Sequence, residues 1–79
     1  MTTIKIMLDT IDRIKNFNRT VQKFPGDFDL EQGRYYIDAK SMMGLLSLDL
    51  SAPVDLHFNA SEEEETKIVE ALKEYIIEA

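Results

Sequence analysis

Cysteine is absent from the 79 residues. That excludes a disulfide framework, a thiolate zinc site and a cysteine nucleophile. Histidine occurs once, at His57, so any chemistry that needs an imidazole has a single candidate. The three glycines form no GxGxxG fingerprint, and no P-loop lysine follows any of them, which removes the common phosphate-cradling motifs. No apolar run approaches the roughly 18 residues of a membrane span. Met1-Thr2-Thr3-Ile4-Lys5 opens without a basic segment leading into an apolar core, so no secretory signal is read and a cytoplasmic location is expected. Positive charge is in deficit: nine Lys and Arg stand against fifteen Asp and Glu, a formal charge of −6. A chain of that sign lacks the basic footprint that nucleic acid demands. Neither nucleic acid nor membrane is expected as a partner.

What the sequence does have is ordinary globular composition, 44% hydrophobic and 30% charged, which argues against disorder. Its length suits one small domain over residues 1–79, burying only about 60% of its unfolded surface. Repeats, low-complexity tracts and linkers are missing. Pro25-Gly26, Gly33, Gly44 and Pro53 are the only strong punctuation.

Between these marks the apolar period changes. Ile4, Ile6 and Leu8 alternate, as in a half-buried strand over residues 3–8. Asp9 and Thr10 can each cap a helix. Ile11, Ile14, Phe17 and Val21 then recur at helical spacing, with Phe24 closing the stripe before Pro25-Gly26. Asp27 to Glu31 and Arg34 to Asp38 alternate across Gln32-Gly33, a β-hairpin pattern. Ser41 to Leu50 is too apolar for a loop and begins with a capping serine; it predicts a helix of two to three turns. Val54 to Phe58 predicts a fourth strand. Ser61 with Glu64 is a capping-box pattern opening a helix whose face is Ile68, Val69, Leu72, Tyr75 and Ile76. The acidic run Glu62 to Glu65 falls in its first turn, where the dipole favours negative charge. The element order is β-α-β-β-α-β-α. The expected architecture is α+β, an open-faced sandwich with three helices on one face of a four-stranded antiparallel sheet.

Strand alternation puts His57 with Asp55 on the solvent face, opposite Val54, Leu56 and Phe58. A lone surface histidine is the simpler reading; a base or phosphate acceptor is the other. Glu70 and Glu74 share a helix face, but no carboxylate pairing is legible and no metal site is expected. The segment after Ser41 is the unusual one. A short helix can bury Leu45, Leu48 and Leu50, which leaves some of Met42, Met43 and Leu46 exposed as an adaptable docking surface. The alternative is that all of them are core. Ser41 itself reads either as a plain N-cap or as a place where phosphorylation would alter docking.

Lys40-Ser41-Met42-Met43-Gly44-Leu45-Leu46-Ser47-Leu48 resembles the second signature of HPr, the histidine phosphocarrier of the bacterial sugar phosphotransferase system. The Ser-x-Met-Gly-x-x-Ser-Leu core carries the resemblance, which spans essentially the whole chain and implies the HPr-like open-faced sandwich. Two sites follow from it. The family's phosphoryl-accepting histidine, at the N-cap of the first helix, corresponds to the stretch Asp9-Thr10-Ile11-Asp12-Arg13. This stretch has neither histidine nor proline and is a shortened, degenerate active-site loop in which Asp9, Thr10 and Arg13 stand near the lost groups. The family's regulatory serine is matched by Ser41, and its partner-docking positions by Met42, Met43 and Leu46, beside Lys40. Asp49 replaces the usual glycine and places a negative charge near the end of the second helix. The resemblance therefore implies a non-enzymatic regulatory module of carbon catabolite control without phosphohistidine transfer. It implies no cofactor, and protein partners such as HPr serine kinase or a transcriptional regulator. A phosphocarrier with a non-standard acceptor and an unmodified scaffold are the other readings; a dimer is compatible with all three. The pattern of loss and retention is similar to that of the catabolite-repression HPr-like proteins.

Overall fold

Alternating apolar residues on four strands leave the sheet one dry face, and the helices fill it. The computed structural model describes residues 1–78. Its elements are β1 (Thr2–Ile6), α1 (Ile11–Val21), β2 (Phe28–Gln32), β3 (Tyr35–Asp38), α2 (Met42–Leu45), β4 (Val54–Phe58), α3 (Glu62–Leu72) and β5 (Ile76–Glu78). All pairings are antiparallel, in the order β3-β2-β4-β1-β5. Register places Ile4 opposite Leu56 and Leu30 opposite Leu56 on its other side. These side chains and Ile6, Phe28, Val54 and Phe58 form the sheet half of the core. Ile14, Phe17 and Val21 of α1, Leu45 of α2, and Ile68 and Leu72 of α3 supply the other half. Burying each such side chain contributes about 1.5–3 kcal/mol. Phe28 stacks on Phe58 at 5.2 Å, and Phe17 meets the ring of Tyr75 edge-on at 5.7 Å. Ile11, at the start of the α1 stripe, is 44% exposed.

The caps read from the sequence form. Thr10 accepts a hydrogen bond from the Arg13 N–H at 3.1 Å, and Ser61 from the Glu64 N–H at 3.2 Å. The Glu64 carboxylate accepts the Ser61 hydroxyl at 3.3 Å rather than reaching the backbone. Gly33 turns the β2–β3 hairpin at φ +60°, and Arg34 has no positive φ. That is the type II′ pattern, with glycine at the first central position.

Two expectations are corrected. Among the described residues the sheet has five strands, not four, because α3 stops at Leu72. Tyr75 N–H bonds back to the Leu72 carbonyl at 2.9 Å, and the chain then reverses. Ile76 leaves the helix face predicted for it and pairs with Ile6 on the β1 edge. The second helix is one turn, not two to three. Beyond Leu45 the backbone continues as turns, with Ser47 N–H on the Gly44 carbonyl and Leu48 N–H on the Leu45 carbonyl. Leu45 and Leu48 are buried as expected and Leu50 is half-buried.

Asp49 consequently lies in the loop after α2 rather than at the end of a long helix, and the dipole penalty read from the sequence lapses. Its carboxylate accepts from the Ser51 hydroxyl at 2.6 Å and the Ser51 N–H at 2.9 Å. Gln32 clamps its backbone through Oε1 at 2.8 Å and Nε2 at 2.9 Å. The two Ser51 bonds hold the Asp49 carboxyl below its ordinary value of 3.8. Their contribution is complete above that value and is lost as pH falls through the lowered one.

Candidate functional site

Ser41 ends the segment that leaves β3 and starts α2. Its hydroxyl accepts the Gly44 N–H at 3.3 Å, a helix N-cap. Gly44 is where α2 presses on the sheet: a Cβ there would stand 3.4 Å from Cβ of Ile37. That distance is the tight edge of ordinary contact, so α2 lies close against β3 at this point. The backbone before Ser41 is held from α1, where Asn18 donates to the Ala39 carbonyl at 3.2 Å and Gln22 to the Lys40 carbonyl at 2.8 Å. A single helical turn has almost no macrodipole, so a charge at Ser41 acts on its surroundings directly.

The apolar residues after Ser41 divide between core and solvent. Met43 is 84% exposed and Leu46 51%, while Met42 is half-buried against the core. Between α1 and α2 runs a groove of about 390 Å³ lined by Lys15, Asn18, Arg19, Gln22, Met42 and Leu46. It combines an apolar floor with a cationic and amide wall. The α1 members of that wall were missed in the sequence, although their spacing of three and four residues marks one helix face. Lys40, grouped with the docking residues by the sequence, turns elsewhere. Its ammonium donates to the Phe24 carbonyl at 2.6 Å and lies 5.5 Å from the Phe28 ring.

Asp9, Thr10 and Arg13 do come together at the start of α1. The Arg13 guanidinium donates through Nη2 to the Met7 carbonyl at 3.1 Å and the Glu74 carbonyl at 3.0 Å. It stacks 4.9 Å from the Tyr75 ring centroid. Its Nε lies 3.0 Å from Asp9 as an ion pair, without the alignment of a hydrogen bond. Arg13 thus straps the exit of β1 to the end of α3. Burial pushes the Tyr75 hydroxyl up to about 12, the Glu74 carboxylate adds to the shift, and Arg13 opposes it. A raised phenol pKa stabilises the fold below pH 10 and loses that contribution as pH rises from 10 towards 12.

His57 lies on the sheet face away from the helices, as the alternation predicts, but it is not alone. Its Nδ1 is 2.8 Å from Thr3 Oγ1, its Nε2 is 2.9 Å from Glu31 Oε1, and its ring stacks on Tyr36 at 5.8 Å. Local sequence could not show these partners, because each comes from a different strand. Among the described residues no helix is long and apolar enough to cross a membrane.

The family model described as the PTS HPr component phosphorylation site matches residues 13–78. Among solved structures, the chain is similar to HPr-C-His of Thermoanaerobacter tengcongensis, with a TM-score of 0.74 and 25% identity over 94% of this chain and 89% of that one. It is similar in fold to the phosphocarrier protein HPr of Bacillus anthracis strain Ames, with a TM-score of 0.68 and 23% identity over 95% and 93%. Crh, the Bacillus subtilis catabolite repression containing protein solved as a domain-swapped dimer, gives a TM-score of 0.61 and 26% identity over 95% and 90%. No protein of curated function matches the chain in sequence.

Proposed function

Because this chain belongs to the HPr family of the sugar phosphotransferase system, whose members are phosphocarriers rather than enzymes, we propose that it is a regulatory binding module of that family. On this reading it is a single cytoplasmic domain that docks protein partners through Met42, Met43 and Leu46, with Lys40 holding the segment in place and Ser41 as the phosphorylation-type switch. The observation that supports it best is the surface itself. Met43 and Leu46 stand out at 84% and 51% exposure beside a groove walled by Lys15 and Arg19. Exposed apolar side chains rimmed by polar groups mark interaction sites. A phosphate on Ser41 would bring about −1.5 to −2 charges to the residue preceding Met42 of the groove. That changes which partner fits without touching the core.

The same reading assigns no phosphohistidine transfer. The N-cap of α1 is Thr10, and an alkyl phosphate there would lack the transfer potential of a phosphoramidate. Arg13 is occupied as a strap. His57, the acceptor in the alternative carrier reading, has both ring nitrogens in hydrogen bonds and a side chain only 14% exposed. It also faces away from the α1–α2 groove.

Titrating HPr serine kinase, without ATP, into isotope-labelled protein tests the docking surface. The amides of residues 40–46 and of Lys15 to Gln22 should move first. Shifts confined to the sheet face around His57 would contradict the proposal, and an absence of shifts with an active kinase would favour the unmodified scaffold.

A further inference from the structure

Ala39-Lys40-Ser41 joins the end of β3 to the start of α2. A connection at the protein surface can leave its backbone groups to water. Here each of them is paired within the chain. Ala39 N–H bonds to the Phe28 carbonyl at 2.7 Å and Ser41 N–H to the Asp38 carbonyl at 3.0 Å. The Ser41 carbonyl accepts from the Leu45 N–H at 3.0 Å, and Lys40 N–H donates to the Asp38 carboxylate at 2.9 Å. The two remaining carbonyls, of Ala39 and Lys40, are the ones that Asn18 and Gln22 reach from α1, at 3.2 Å and 2.8 Å.

Asn18 and Gln22 are an i, i+4 pair on one face of α1, a helix anchored in the core by Phe17 and Val21. Gln22 is exposed. Fixing an exposed glutamine costs side-chain freedom comparable to the net gain of one hydrogen bond. The bond therefore adds little to stability, and its effect is on geometry: the segment before Ser41 is tied at two points to a rigid neighbour. Both side chains line the groove between α1 and α2, but their amide nitrogens are directed at the segment.

Phosphorylation depends on such placement. The Ser41 oxygen attacks the γ-phosphorus of ATP in line, the bond to the β–γ bridging oxygen breaks, ADP leaves, and the hydroxyl proton passes to a base of the kinase. Catalysis of that step is mostly alignment and charge. We infer that Asn18 and Gln22 are positioning residues for Ser41. They hold Ala39 and Lys40 so that the hydroxyl meets an ATP-dependent protein kinase already aligned. The kinase then acts on a site made of α1 and the segment together, not on the sequence around Ser41 alone. This inference rests on the reading of Ser41 as a phosphorylation site.

Steady-state phosphorylation of the full chain by HPr serine kinase and ATP, with the concentration of the chain varied, is the test. Gln22→Met and Asn18→Leu each remove a donor and keep the bulk of the side chain beside the groove. Each should lower kcat by about tenfold with KM unchanged, the pattern of an interaction that serves the transition state and not binding. Gln22→Lys, whose ammonium reaches the same carbonyl, should recover most of the kcat. Without kinase, the Ser41 amide of Gln22→Met should exchange faster while the melting temperature stays nearly the same. Unchanged kcat in both variants would overturn the inference. So would a rise in KM alone, which would make the two side chains contacts of the kinase. Asn18 is half-buried; if its replacement unfolds the chain, Gln22→Met decides alone. An unaltered chain that takes no phosphate on Ser41 removes the phosphorylation reading and this inference with it, whereas a phosphorylated chain indifferent to both substitutions removes the inference only.

Discussion

Replacing Arg13 by alanine should destabilise the protein by about 2 kcal/mol, lowering the melting temperature by about 10 °C in a domain of this size. The side chain donates to two backbone carbonyls far apart in sequence, Met7 and Glu74, and covers the Tyr75 ring. Alanine leaves both carbonyls to water or to no partner and opens the seam between β1 and α3. Lysine should recover only part of the loss, because an ammonium lacks the planar fork that spans two acceptors. The damage should be local before it is global. β5 is three residues long and begins two residues after Glu74, so its amides should exchange faster in the variant than those of β4. A melting temperature equal to that of the unaltered protein would show that Arg13 is a solvated surface group and not a strap.

The second large effect is on binding. Met43→Glu combined with Leu46→Glu should weaken docking of HPr serine kinase by about 100-fold while leaving the melting temperature nearly unchanged. Few residues carry most of an interface's energy, and those that do fill pockets on the partner at its centre. Two exposed apolar side chains beside a cationic groove fit that role, and neither contributes to the core. The acidic replacements bury unpaired charge against whatever apolar surface the partner offers. Lys15→Ala and Arg19→Ala should act more mildly and mostly on association rate, as rim charges do. Calorimetric titration checks both sets. Equal affinities for the double variant and the unaltered chain would remove the groove from the proposed function.

Periodicity carried most of the fold. Ile4 and Ile6, Ile14 with Phe17 and Val21, and Val54 with Leu56 and Phe58 are each buried where their spacing predicts. The fifth strand was not legible because Ile76 satisfies both patterns. It stands one residue beyond Tyr75 on a helical face and is also β-branched, as strands prefer. Only the Leu72–Tyr75 turn decides between them. The length of α2 was overestimated for a related reason: a dense apolar run looks the same whether it winds as a helix or folds through successive turns over a sheet. At the site, the cap at Ser41 followed from the segment alone, but the segment left open whether Met42, Met43 and Leu46 are core or partly exposed, and the division into exposed Met43 and Leu46 and half-buried Met42 needed the packing of α2. The groove wall was not legible either, since it depends on α1 lying beside α2, and nor was the Thr3–His57–Glu31 arrangement, which needs the order β2-β4-β1.

The most direct test of the central proposal, a regulated docking module without carrier chemistry, is intact-mass spectrometry after two separate incubations. One contains HPr serine kinase and ATP, the other the phosphotransferase system's first enzyme and phosphoenolpyruvate. A single added phosphate with the kinase, lost in Ser41→Ala, and no added mass with the first enzyme are expected. A phosphate acquired from the first enzyme and lost in His57→Ala would contradict it, and would make this chain a carrier built on a different histidine.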